Sequence, residues 1–233
     1  MIEIIGTPRS GTTMLGRTIC KTRPAQEPFN QYMWKYYDSS LLTMSRRDAY
    51  AMQIESLRKK NSVVVNHAVQ LKFLEKFFPK LFDDWVQIPK YKIVLYRPNL
   101  IDTVISLAYS RVSNAWHYSN HNDFKRCVLD LKTVESCALD LINELNWITT
   151  NMYARTADKV VTYDDIVTAK PDDICRLLGF NHDSNTEIGL IGSPPKVQAI
   201  DNLQSVTTYL HSYLKEHKNK CEFTLTPDLI VKI

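Results

Sequence analysis

The stretch Ile2–Arg17, IEIIGTPRSGTTMLGR, limits the chain to a few folds. A short apolar run (Ile2, Ile4, Ile5) has strand character and meets a turn of small residues, Gly6-Thr-Pro-Arg-Ser-Gly11. Thr12 and Thr13 open a segment whose apolar residues, Leu15 and Ile19, recur at helical spacing. Strand, small-residue loop and helix in this order aim backbone N–H groups and the positive end of a helix dipole at an anion. Gly6 and Gly11 permit the close backbone approach that a phosphate cradle needs.

The rest of the chain repeats the strand-then-helix theme. Ser62–Asn66 and Lys92–Tyr96 read as fully buried strands, and Lys159–Tyr163 as a fourth. A capping-box-like Ser45-Arg-Arg-Asp48 precedes apolar spacing at Tyr50, Ile54 and Leu57. Helices are predicted over Val69–Phe78, Leu100–Val112, Pro171–Leu178 and Asp201–Lys215. The longest helical pattern runs over Asp123–Asn151, with Val128, Leu131, Leu141, Leu145, Ile148 and Met152 near one stripe. Leu81–Pro89 is poorly patterned and reads as a loop or lid. Strands separated by helices predict an α/β fold with a central parallel sheet flanked by helices.

At 233 residues and 44% apolar content, a single domain over residues 1–233 is expected, with 181–233 as a C-terminal extension packed on it. The net charge of +4 favours anionic ligands but is too mild and too dispersed for a dedicated nucleic-acid binder. Five cysteines without a C-x-x-C argue for free thiols in a reducing compartment and against a zinc site. There is no run of 18 apolar residues and no leader before the first strand, so the expected location is cytoplasmic.

Against the phosphate-loop pattern G-x-x-x-x-G-K-[ST], Gly6, Gly11 and Thr13 match, while Thr12 stands at the lysine position. Arg9 is the loop's cation. An NTPase sets that lysine on the β/γ-phosphates and the next hydroxyl on Mg²⁺. A cation moved to Arg9 fits a nucleotide with fewer phosphates and no compulsory metal. Pro8-Arg-Ser-Gly-Thr-Thr13 at the end of a first strand resembles the 5′-phosphosulfate loop of sulfotransferases, which use 3′-phosphoadenosine 5′-phosphosulfate (PAPS). The resemblance runs over roughly Met1–Phe180, with gaps, and implies the P-loop NTPase-like sulfotransferase fold.

Further segments extend it. Leu95-Tyr-Arg-Pro-Asn-Leu-Ile-Asp-Thr-Val-Ile-Ser106 is similar to the family's R-N-P-x-D-x-x-x-S, with one extra residue between Arg97 and Ser106 and with Pro98 before Asn99. The resemblance implies that Arg97 and Ser106 hold the 3′-phosphate, a task suited to a guanidinium and a hydroxyl. Val161-Thr-Tyr-Asp-Asp-Ile166 looks like the segment whose tyrosine packs near the adenine, which makes Tyr163 the candidate. The family's C-terminal R-K-G-x-x-G loop is not visible, and Lys196 is a partial substitute at best. Met14 stands where cytosolic members often carry an aromatic residue.

Sulfuryl transfer needs a base, cations and in-line placement. Two bases are available. Glu27, in Gln-Glu-Pro-Phe-Asn30, resembles the glutamate of carbohydrate- and protein-modifying members and is preferred on that setting. His67 follows Val65-Asn66, where small-molecule members carry K-T-H; a histidine is the natural base near neutral pH. Arg9 is the implied electrostatic stabiliser, with Ser10, Gly11, Thr12 and Thr13 on the 5′-phosphosulfate. The resulting expectation is metal-independent sulfuryl transfer from PAPS to a hydroxyl or amine of a small-molecule, carbohydrate or peptide acceptor, releasing PAP. The aromatic stretch Tyr32, Trp34, Tyr36, Tyr37 lines an acceptor pocket or belongs to the core. The rival readings are a Mg²⁺-dependent kinase or NTPase, and a nucleotide-binding protein without transfer chemistry.

Overall fold

The computed structural model of the chain describes residues 1–19, 28–29, 46–58, 63–114, 125–179 and 196–217. The strands are β1 (Ile2–Gly6), β2 (Val63–His67), β3 (Tyr91–Tyr96) and β4 (Lys159–Thr162). The helices are α1 (Thr12–Ile19), α2 (Arg46–Arg58), α3 (Ala68–Phe77), α4 (Pro79–Val86), α5 (Leu100–Ser113), α6 (Leu131–Thr150), α7 (Met152–Arg155), α8 (Tyr163–Val167), α9 (Pro171–Leu177), α10 (Lys196–Ala199) and α11 (Leu203–Glu216). The protein is an α/β protein with a parallel sheet of four strands flanked by helices, in the order β2-β1-β3-β4. All four predicted strands form.

The chain divides into two compact units, Met1–Tyr96 with Trp147–Thr186, and Arg97–Asn146 with Glu187–Ile233. The first holds the whole sheet. Its strands are apolar on both faces, as parallel strands covered by helices must be. On one face Ile4, Val63, Val65, Ile93, Leu95 and Val161 pack with Leu15 of α1, Ile166 of α8 and Ile174 of α9. The alternate residues Ile5, Val64 and Val94 are buried on the other face. There Phe29 packs edge-on against Trp85 of α4 and Tyr50 of α2.

Glu3 breaks the apolar pattern of β1. It is fully buried between two isoleucines in sequence. Its Oε1 accepts from Asn66 Nδ2 at 2.6 Å and from Trp85 Nε1 at 2.9 Å, and its Oε2 accepts from the Tyr153 hydroxyl. The carboxylate therefore ties β1, β2, α4 and α7 together. Burial raises its pKa, against the opposing hydrogen bonds from Tyr153, Asn66 and Trp85.

The second unit is described by α5, most of α6, α10 and α11. An Arg111–Asp140 ion pair at 2.8 Å joins α5 to α6, and Tyr209 of α11 donates to Glu135 of α6. Its buried residues include Leu107, Ala138, Leu141 and Leu210.

Two expectations are corrected. Leu81–Pro89 is not a loop: Pro79 starts α4 in its first turn, where a missing N–H costs nothing, and Leu81, Phe82 and Trp85 give it a buried face. The long helix starts at Leu131 because Asp130 caps it, accepting from Thr133 N at 2.9 Å and from its hydroxyl at 2.6 Å. Val128, Leu131 and Met152 are exposed, so the buried stripe runs through Val134, Ala138, Leu141, Leu145 and Ile148. The predicted helices at 100–112, 171–178 and 201–215 form within a residue or two of the expected bounds. Among the described residues no helix is long and apolar enough to cross a membrane, and Cys127, Cys137 and Cys175 are free thiols.

The raised pKa of Glu3 sets the sign of a pH effect. Above about pH 4.3 the unfolded state releases this proton while the folded state retains it, so stability falls as pH rises from there to the folded-state pKa. Glu3→Gln is expected to flatten that slope in urea titrations run from about pH 4 upward. Glu3→Leu, which leaves three buried donors without an acceptor, should cost about 3–5 kcal/mol.

Candidate functional site

The strand order reverses beside β1, whose neighbours are β2 and β3. Ligands of open parallel sheets collect outside the carboxyl ends of the strands at such a switch point. The residues beyond β1 are the small-residue loop. Gly6 faces His67 on β2 and Leu95 on β3 in register. A Cβ at Gly6 would lie 2.7 Å from the Leu95 carbonyl oxygen, 2.6 Å from Thr12 Cγ2 and 2.8 Å from Ser10 Oγ. The loop thus folds back tightly over its own strand end.

Ser10 Oγ donates to the Thr7 carbonyl at 2.7 Å, and the Ser10 N–H donates to the same oxygen at 3.3 Å. This closes a turn around Pro8 and Arg9. Arg9 sits at φ 66° and Gly11 at φ 91°. For Gly11 this conformation is free, but for Arg9 it costs roughly 1–2 kcal/mol, the kind of strain concentrated at functional sites. Leu15 N–H reaches the Gly11 carbonyl at 2.9 Å, so α1 begins directly at the loop and Thr12, Thr13 and Met14 supply its first-turn N–H groups. Thr7, Ser10 and Thr12 are buried.

His67 ends β2 and precedes α3; its N–H donates to Gln70 Oε1 at 2.8 Å. Its Nε2 lies 3.4 Å from Thr12 Oγ1. The imidazole therefore meets the hydroxyl that stands at the lysine position of the phosphate-loop pattern. Tyr163 opens α8 beyond β4, where Thr162 and Asp165 cap each other: Thr162 N donates to Asp165 Oδ2 at 2.8 Å, and Asp165 N donates to Thr162 Oγ1 at 3.1 Å. The Tyr163 ring packs on the loop, 2.8 Å from where a Cβ on Gly11 would stand. Tyr96 at the end of β3 has its pKa raised by burial and by the charges of Asp165 and Asp164. Arg9 through Thr13, His67 and Tyr163 are thus assembled by one unit.

Arg97 and Ser106 belong to the second unit. Asn99 caps α5 by accepting from Asp102 N at 2.9 Å. Arg97 donates to Asp102 Oδ2 at 2.9 Å, and Lys196 Nζ lies 2.8 Å from Asp102 Oδ1 and 2.9 Å from the Asp102 carbonyl oxygen. Burial pushes the Asp102 pKa up, but the hydrogen bond and charge of Lys196 and the charge of Arg97 outweigh it, and the carboxyl stays below its ordinary pKa. Ser106 is buried within α5.

Glu27, the aromatic stretch 32–37 and the Pro194-Pro195 segment lie outside the described residues. Sequence reasoning missed two features. Glu3 was visible as a lone charge inside an isoleucine run. Lys196 meets Asp102 from far along the chain, and no local spacing signals it. Among the described residues no group of three or more His, Cys, Asp or Glu is placed to hold a metal ion. No protein-family model matches the sequence, and no characterised protein matches it.

Gly6→Ala is expected to destabilise the protein by about 1–3 kcal/mol in urea unfolding, because the Leu95 backbone cannot move aside for the new methyl group. An unchanged midpoint would mean that the loop does not lie this close to its strand.

Proposed function

We propose that the protein is a sulfotransferase that moves a sulfuryl group from PAPS to an acceptor hydroxyl or amine, on a P-loop-like sulfotransferase fold. The observation that carries the reading is the contact between Thr12 Oγ1 and His67 Nε2. A phosphate loop with Thr12 at the lysine position loses the cation that grips a triphosphate, and a group able to take a proton lies at the same spot. That combination suits transfer of a terminal group to a neutral nucleophile.

In this reading the first-turn N–H groups of α1 and the Arg9 guanidinium bind the 5′-phosphosulfate, Ser10 holds the turn of the loop through Thr7, and Tyr163 lies beside the loop for the adenine. His67 Nε2 accepts the proton of the acceptor. The acceptor oxygen bonds to sulfur as the bond from sulfur to the bridging oxygen breaks. The electron pair leaves with that oxygen on PAP, where Arg9 and the loop N–H groups stabilise the charge. Arg97 and Ser106 are the ligands of the 3′-phosphate. The contact of His67 with the loop supports it as the base, and Glu27, which the sequence setting favours, is the alternative base.

Calorimetric titration of PAP into the protein without Mg²⁺, with ADP and ATP as controls, tests the donor. Tight PAP binding that ADP does not match is expected. Binding of ATP–Mg²⁺ in place of PAP would make the protein a kinase or NTPase instead. With an acceptor panel of phenols and sugars, His67→Asn should leave PAP affinity unchanged and lower turnover by about 10²–10⁴-fold. Arg9→Ala should weaken both. Tight PAP binding without turnover on any acceptor would leave a binding protein.

A further inference from the structure

We infer that Gln70 is a positioning residue: its side-chain oxygen holds the end of β2 so that the His67 imidazole stands against Thr12, an inference that rests on His67 as the base of the transfer proposed above. Gln70 Oε1 accepts from the His67 N–H at 2.8 Å. Gln70 is buried, at 3% exposure, and belongs to the first turn of α3. The residue that it holds is an unfavourable start for a helix, since the side chains preferred at that position are those of Ser, Thr, Asp and Asn. α3 nevertheless begins after His67, and the glutamine three residues on supplies the half of a capping box that binds the cap residue's own N–H. The sequence thus departs from capping preference at a residue whose ring meets the loop, and keeps the partner that fixes its main chain. Such a local exception is what a side chain serving a site produces.

Fixing this N–H fixes where the ring goes. The N–H belongs to the peptide plane before the His67 Cα, whereas Gln70 lies beyond it in the chain. The bond therefore spans both torsions of His67 and locks them together, at φ −79° and ψ 146°. His67 is also the last residue of β2 in register with β1, opposite Gly6. A rotation of about 20° in φ, the usual scatter of extended backbone, carries the tip of an imidazole sideways by roughly 1 Å. Nε2 lies 3.4 Å from Thr12 Oγ1, at the outer edge of hydrogen-bond reach, so a displacement of that size separates ring and loop. It also moves the nitrogen away from an acceptor aligned with the loop, and about 1 Å of misplacement is enough to cost about a hundredfold in rate.

Gln70→Met keeps the length of the side chain and removes its oxygen, whereas Gln70→Glu keeps an oxygen at the same place. The wild-type chain and both variants are compared by thermal melts, by PAP calorimetry, by turnover on the acceptor panel at saturating PAPS, and by the nuclear Overhauser contact between the His67 ring and the Thr12 methyl group. The ring signals are identified by their loss in His67→Asn. Gln70→Met is expected to keep the fold and the PAP affinity, to lose the contact and to lower turnover about 10–100-fold. Gln70→Glu is expected to restore the contact, and to restore turnover at about pH 9, where a histidine beside a carboxylate is neutral. Should Gln70→Met fail to fold, Gln70→Ala, which lets water reach the N–H, takes its place with the same expectations. An intact contact or full turnover without the glutamine oxygen overturns the inference, as does a Gln70→Glu chain that restores neither. Loss of PAP affinity along with turnover in Gln70→Met also overturns it, because the substitution would then have disturbed the loop and not the ring alone. A wild-type chain that does not bind PAP overturns the donor reading by itself; the Overhauser contact then still decides whether Gln70 holds the ring.

Discussion

The closeness of the loop to the end of β1 governs the rest of the candidate site. At Gly6 the Thr12 side chain, the Ser10 hydroxyl and the Leu95 main chain leave no room for a β-carbon. Any larger residue would lift the loop off the sheet, and with it the start of α1. That start is where Thr12 reaches His67 across the register of β1 and β2. The single missing side chain thus fixes which N–H groups face outward and which imidazole lies beside them. The left-handed Arg9 follows from the same crowding, since a chain turning back within five residues of its strand needs unusual torsions.

Behind this assembly lies Glu3, on the face of the sheet that the loop does not use. A buried carboxyl in a strand is costly unless its oxygens are satisfied. Asn66, Trp85 and Tyr153 satisfy them, and each comes from a different element. Packing alone would let an all-aliphatic strand slide by two residues against its neighbours at modest cost. A buried carboxyl with three fixed donors penalises every such slip, because each misregistered arrangement leaves it without those partners. Register matters here more than elsewhere, since it decides that His67 stands opposite Gly6.

The central architecture was legible because its signals are local. Val63–Val65, Ile93–Leu95 and Val160–Val161 announce buried strands by composition, and the small residues between Gly6 and Gly11 announce a turn. Pro171 marked the start of α9 by its fixed φ. Pro79 sits between two helices: it follows the end of α3 and opens α4. The stripe assigned to α6 was drawn too long because Val128 and Leu131 have the right spacing but precede or open the helix that Asp130 caps. The site was legible as far as its local motif, from Arg9 to Thr13. The meeting of His67 with Thr12, of Tyr163 with Gly11 and of Lys196 with Asp102 depends on side chains brought together by tertiary folding, which spacing along a chain does not encode.

The replacement of lysine by Thr12 bears on which group such a loop can transfer. A transferring phosphoryl group carries two negative charges and is ordinarily flanked by lysine and Mg²⁺. A sulfuryl group carries one, so less positive charge is required around it, and a surplus would hold the ground state as firmly as the transition state. With threonine at that position the loop offers neutral N–H and O–H donors plus the Arg9 guanidinium. Asp164 and Asp165 at the end of β4 add negative charge close enough to raise the pKa of Tyr96. A loop this lightly charged would grip a triphosphate poorly. In the proposed transfer, its remaining positive potential would suit a monoanionic group leaving a phosphate, and the His67 nitrogen beside it would serve a nucleophile that arrives neutral.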